Sequence, residues 1–215
     1  MPKTKTPLET NTPRQPVQAR AIQTREKILD AGESLFLRTG FHKVLADDIA
    51  RDAGVSVGSF YNYFKDKRAV FLAILERCSD QVIAGVVEQL SALPVEGDLD
   101  VVTIANQILE SLMVTHRRYF PLFQQADQMA AFDEEIRAYG IASERSTLKA
   151  FEELLTRFLS DQAQADVAEI AFVLYHATEG IVHHLVNSDP TDLSMEKIKA
   201  EYSKFMVSYL RNVVK

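Results

Sequence analysis

The chain has a single cysteine, Cys78, only eight scattered glycines, and no long apolar run. One cysteine excludes an intramolecular disulfide and gives no support for an oxidising compartment. The glycines form neither a phosphate-cradling loop nor a dinucleotide fingerprint. No stretch approaches the unbroken apolar length that a membrane span requires. Residues 1–20 carry Lys3, Lys5, Arg14 and Arg20 but lack the apolar segment of a signal peptide. Strand-like alternation is missing over any useful length, and so are internal repeats. The serines and Cys78 have no matched base, so no catalytic constellation emerges. These absences lead us to expect a cytoplasmic protein with no membrane partner, no catalytic residues and no cofactor.

What is present suits a folded core. The 215 residues are 47% hydrophobic and 25% charged, ordinary values for a globular protein. Net charge is −6, but it is unevenly spread. Residues 1–70 hold twelve Lys/Arg against eight Asp/Glu; residues 71–215 hold twelve against twenty-two. Such asymmetry fits a nucleic-acid-facing part joined to an acidic part.

The periodicity predicts an all-α fold. Residues 1–20 are rich in Pro, Thr and Gln and read as a disordered basic arm. Thr24 reads as an N-cap, and Ile28, Ala31, Leu35 and Phe36 recur at helical spacing up to Gly40. A short helix around Ile49 and Ala50 stops at Gly54. Ser56 then caps a third helix carrying Phe60 and Phe64. Asp66 caps a longer one with Val70, Phe71, Ile74, Leu75 and Cys78 on one face, running to about Leu93 before Pro94 and Gly97. Further helices are predicted near 100–115, 119–129, 133–159, 164–187 and 194–213, with a turn at "NSDPTD" (187–192).

Three short helices over 24–64, two of them joined by the tight turn Ala53-Gly54-Val55-Ser56, predict an N-terminal three-helix bundle with a helix-turn-helix. In "VSVGSFYNYFKDK", Gly58 and Ser59 would bring backbone and hydroxyl near base edges. Phe60 and Phe64 would point inward. Tyr61 and Tyr63 would lay phenolic hydroxyls on phosphates, and Lys65 and Lys67 would neutralise them. Arg25, Val57 and Asn62 complete the expected DNA surface.

The segments "ILDAGESLFLRTGF" and "DDIARDAGVSVGSFYNYFKDKRAVF" resemble the DNA-binding domain of TetR-family transcriptional regulators over about residues 22–75. The resemblance implies a homodimer that binds a palindromic double-stranded DNA operator, usually as a repressor, and a small-molecule effector that releases it. An enzyme carrying an appended helix-turn-helix is the alternative reading. The resemblance divides the chain into a helix-turn-helix domain at 21–81, with the motif near 44–63, and a larger helical ligand-binding and dimerisation domain at 82–215. Two positions depart from the family pattern. Val44-Leu45 stands in place of a Thr/Ser pair, leaving Asp47 as the expected cap of the second helix, and Gly32 replaces an alanine.

In the remainder, large apolar residues are dense. Phe120, Phe123, Phe151, Phe172 and Tyr175, with Gln124, Asp127, His176 and Glu179 as polar groups, are the expected lining of a ligand pocket. Between 119 and 185 the basic residues are only Arg137, Arg145, Lys149 and Arg157, so a largely apolar, neutral or weakly cationic effector is expected. His176, Glu179 and His183 share one helix face but lack a second ligand-bearing element, so no metal is expected. The resemblance implies that the last two helices form the dimer surface, and the apolar stripe Ile170, Val173, Leu174, Ala177, Ile181 and Leu185 supports that expectation.

Overall fold

The computed structural model describes residues 14–92, 101–187 and 194–210. Among these there are eight α-helices and no extended strand, as expected. The helices are α1 (Arg14–Thr39), α2 (Ala46–Asp52), α3 (Val57–Tyr61), α4 (Lys67–Ser91), α5 (Val101–Ala130), α6 (Glu134–Leu155), α7 (Val167–Asn187) and α8 (Met195–Leu210). Short 3-10 turns occupy Phe41–Lys43 and Ala163–Asp166. The chain divides into two compact units, Met1–Ile74 and Leu75–Lys215. The division falls within α4.

In the first unit, α1 packs on α2 and α2 on α3. Its core is aromatic. Phe36 lies 5.6 Å from Phe41 and 5.3 Å, edge-on, from Phe71. Phe60 is fully buried and Phe64 nearly so. Gly32 now has a reason. A Cβ there would stand 2.8 Å from Val70 Cγ1 and 3.1 Å from Ile74 Cδ1, so its absence lets α1 and α4 approach closely.

The first helix departs from expectation. Residues 14–20 are not a disordered arm but the first turns of α1. Pro16 falls in the first turn, where its missing N–H has no partner to lose, and alanine, glutamine and arginine favour continuation. Thr24 is therefore interior, and its hydroxyl donates back to the Arg20 carbonyl at 2.9 Å instead of capping. Residues 1–13 lie outside the described residues.

In the second unit, α5 contacts α6, α7 and α8, and α6 contacts α7. The two helices predicted on either side of Arg117 are one helix of 30 residues running through Pro121. A proline inside a helix costs about 3 kcal/mol. Burial of the adjacent Tyr119 and Leu122 offsets that cost, and Gln125 Nε2 donates to the Pro121 carbonyl at 2.8 Å. Helix α6 begins as predicted, with Asp133 accepting from the Glu135 and Ile136 amides, but ends at Leu155 rather than 159. The expected break at Pro94 and Gly97 and nearly all of the 187–192 turn lie outside the described residues.

The main apolar core of this unit gathers Leu109, Leu159, Ala171, Leu174 and Val182, among others. Ile170, Leu174 and Leu185, expected on a dimer surface, are buried in this core. The exposed part of that stripe is Val173, continued by half-buried Ala177 and Ile181.

Candidate nucleic-acid interface and ligand cavity

The helix-turn-helix is built by caps and one left-handed glycine. Leu45 starts α2 but offers no side-chain acceptor. The cap comes from Asp48, not from Asp47: its Oδ2 accepts the Leu45 N–H at 3.0 Å, while Oδ1 meets Arg51 Nη2 at 2.6 Å. The amide hydrogen bond and then Arg51 hold the Asp48 carboxyl below its ordinary value. An acid at the third helical position thus satisfies the amide of the N-cap residue itself, the half of a capping box that needs no hydroxyl at Leu45. Gly54 turns the chain at φ 67°, a conformation that costs other L-residues roughly 1–2 kcal/mol. Ser56 Oγ then accepts the Ser59 N–H at 3.1 Å, capping α3 as predicted.

Helix α3 is short, so Phe64 packs from the turn beyond it. Val57, Gly58, Tyr61, Asn62 and Lys65 are exposed, while Ser59 and Tyr63 are half-buried. A Cβ at Gly58 would meet nothing within 4 Å, so the start of α3 is open. Arg25 sits 5.5 Å from the Phe64 ring and 3.5 Å from Glu26. Lys67 departs from expectation. Its ammonium donates to the carbonyls of Phe41 and Val44 at 2.8 and 2.7 Å, with that of His42 at 3.4 Å. It is engaged inside the unit, where as the first residue of α4 it also places its ammonium 4.5 Å from the centre of the Phe41 ring.

The second unit holds a cavity of about 560 Å³ walled by α4–α8. Of the predicted lining, Phe120, Phe123, Asp127, Phe151, Tyr175 and Glu179 are in place. Gln124, Phe172 and His176 are not. Gln124 is exposed, Phe172 is 53% exposed, and the His176 ring lies against Phe172, 4.2 Å between centroids. One helix cannot turn all its polar residues to the same side, and a spacing-based reading had no partner helix to choose by.

The cavity's hydrogen-bonded polar groups form three sets. In one, His116 Nε2 lies 3.4 Å from Glu179 Oε1, and Nδ1 lies 3.2 Å from the Leu112 carbonyl. The hydrogen bond from His116 holds the Glu179 carboxyl below its ordinary range against burial. Asp127 is shifted upward, chiefly by desolvation, with the charge of Glu179 adding to it and His183 opposing. Burial, then Glu179 and Glu144, push the Tyr175 hydroxyl strongly up, so it is a neutral donor. In the second, Ser79 Oγ lies 3.2 Å from Tyr139 Oη and 3.4 Å from Ser143 Oγ. In the third, buried Thr178 and Tyr202 share a 2.7 Å hydroxyl contact in the wall.

His116, Tyr139, Ser143 and Thr178 were missed from the sequence. Tyr139, Ser143 and Thr147 follow helical spacing along the same face as Ile136, Phe151 and Leu154, and that signal was readable. The His116–Glu179 pairing spans 63 residues and leaves no local trace. Among the described residues, His176, Glu179 and His183 form no metal-binding group; His176 Nε2 instead stands 3.3 Å from Glu144 Oε1.

The chain thus joins an N-terminal helix-turn-helix to a cavity-bearing helical unit. Residues 28–74 match the family described as "Bacterial regulatory proteins, tetR family". The chain is 44% identical over 54 residues to the transcriptional repressor NemR of Escherichia coli, covering 25% of this chain and 27% of that protein. It is 35% identical over 68 residues to the transcriptional activator FasR of Mycolicibacterium smegmatis, covering 32% and 31%. The matched stretch thus spans under a third of those relatives' length. The fold is shared more widely. A Mesorhizobium loti protein described as a TetR-family transcriptional regulator superposes with a TM-score of 0.75 at 15% identity, over 91% of this chain and 99% of that one. A Saccharomonospora viridis regulator solved in complex with choline gives 0.62 at 19% identity, over 90% and 99%. All four of these proteins are described as transcriptional regulators. Among the described residues no helix is long and apolar enough to cross a membrane.

Proposed function

We propose that this chain is a cytoplasmic, homodimeric transcriptional regulator that releases a palindromic operator when a small, largely apolar, neutral or weakly cationic effector fills its cavity. The observation that carries the reading is the presence in one chain of an open helix-turn-helix and a separate cavity lined by aromatics and carboxylates. Asp127, Glu144 and Glu179 line it against Arg137, so a phosphorylated effector would meet net negative charge. The choline held by the S. viridis protein is consistent with a cationic group. NemR supports the repressor sense, and FasR makes the activator sense the alternative outcome.

Dimerisation is supported by exposed apolar groups on the last two helices. Phe172 and Val173 on α7 and Phe205 on α8 are 53%, 41% and 42% exposed, and Ile181, Ile198 and Phe205 line a shallow groove. A dimer would set two α3 helices in successive major grooves, roughly 34–36 Å apart.

The test is fluorescence anisotropy with duplexes from DNA flanking the gene, followed by titration with an apolar quaternary ammonium compound. Saturable binding to one palindrome and release by the amine are expected. Tight binding of a phosphorylated metabolite in its place would overturn the effector class. Within the DNA interface, Ser59→Ala should alter preference at one or two operator positions by about 1–3 kcal/mol at unchanged salt slope. Tyr61→Phe should weaken all sequences alike, also at unchanged slope, because a neutral hydroxyl releases no counterion.

A further inference from the structure

The Lys67 ammonium has three N–H donors and no acceptor. Three carbonyls face it: Phe41 at 2.8 Å, Val44 at 2.7 Å and His42 at 3.4 Å. Its Nζ also stands 4.5 Å from the centre of the Phe41 ring, a distance at which a cation is attracted to the ring face. Two short hydrogen bonds therefore tie the ammonium to the protein's own backbone, with a third carbonyl at longer range.

The location of those carbonyls gives the arrangement its consequence. They belong to the 3-10 turn Phe41–Lys43 and to Val44, which leads directly into Leu45, the N-cap residue of α2. The turn's own hydrogen bonds are long, 3.3 Å from Lys43 N to the Gly40 carbonyl and 3.4 Å from Val44 N to the Phe41 carbonyl. The Lys67 contacts are shorter and charge-assisted, and such bonds are stronger than neutral ones. Lys67 is itself fixed at the first position of α4, where Asp66 Oδ1 accepts the Ala69 N–H at 2.8 Å. Desolvation draws the ammonium below its ordinary value.

We infer that Lys67 is a positioning residue: its ammonium pins the backbone of residues 41–44 to the start of α4, sets the entry of α2, and so aims the helix-turn-helix, without itself contacting DNA phosphate. The functional consequence rests on the DNA-binding reading above; the pin itself does not.

The experiment compares Lys67→Met, which keeps most of the stem and removes the donors, with Lys67→Arg, which keeps the charge but spreads its donors in a planar fork that cannot converge on three carbonyls. Lys65→Ala serves as the phosphate-contact reference. In the free protein, amide hydrogen exchange at residues 44–52 should accelerate by about tenfold or more in Lys67→Met, with α5–α7 unchanged. Operator affinity should fall in both Lys67 variants at unchanged salt slope, whereas Lys65→Ala should lower the slope by about one. Unchanged exchange, a slope lowered by about one in Lys67→Met, and full rescue by Lys67→Arg would identify a phosphate contact and overturn the inference. Uniform acceleration of exchange through the whole first unit would reduce Lys67 to a general stability role and overturn it equally. If the unmutated protein binds no duplex, the regulator reading fails, and the exchange comparison alone still decides the pin.

Discussion

The two units spend similar apolar residues in different ways. The first closes Phe36, Phe41, Phe60 and Phe71 into a small aromatic core and removes a side chain at Gly32 so that α1 and α4 approach closely. The second surrounds about 560 Å³ of space with aromatic and aliphatic walls and places ionisable groups along it. A tightly filled unit holds surface residues such as Val57 and Tyr61 in fixed positions, as the proposed groove recognition would demand. A cavity-bearing unit has given up part of its packing stabilisation, because atoms lining a void lack contacts on one side.

The contrast can be broken at its strongest point first. Phe36→Ala removes a fully buried ring and should cost about 3–5 kcal/mol, read as a lower denaturant midpoint. Phe123→Ala on the cavity wall should cost distinctly less, since the void already exists. Equal losses would show that the cavity is no looser than the first core.

Next comes Gly32→Ala. A methyl group would stand 2.8 Å from Val70 Cγ1, and overpacking of this kind costs about 1–3 kcal/mol. Calorimetry should show a lower melting temperature for the variant, although alanine is the better helix former. A stabilised variant would mean that α1 and α4 separate freely.

Glu179→Gln sharpens the other side. It should weaken binding of an apolar quaternary ammonium probe by about tenfold, or about 1.4 kcal/mol, measured by titration calorimetry. The pH dependence follows from the lowered carboxyl of Glu179. The unfolded state holds that proton more tightly, so the contribution is fully present above the ordinary carboxylate value and is lost as pH falls through the depressed folded value. Unfolding of the native protein at decreasing acidic pH should therefore be steeper than that of Glu179→Gln.

The smallest effect is expected at Ser56→Ala, which deletes the α3 cap and should cost about 1 kcal/mol in denaturant unfolding. Operator preference should stay unchanged, in contrast to Ser59→Ala.

Legibility followed the range of the interactions. Ser56, Gly54, Asp133 and the inward pair Phe60 and Phe64 could be read from the sequence because caps, left-handed turns and helical period act within a few residues. The start of α1 was misread because helix-compatible residues near Pro16 were weighed by composition alone. The passage of α5 through Pro121 was missed because its compensation comes from burial of Tyr119 and Leu122.

By itself the sequence determined an all-helical chain, a capped helix-turn-helix with its exposed face, and a cavity region poor in basic residues. Short-range hydrogen bonding and periodicity suffice for these. Only the tertiary structure decided that Lys67 turns inward to the carbonyls of Phe41 and Val44, that Glu179 meets His116 rather than the histidines of its own helix, and that His176 stays off the cavity wall. Each of those outcomes depends on which backbone or helix arrives from a distant part of the chain, and a charged side chain takes the nearest partner that can satisfy it.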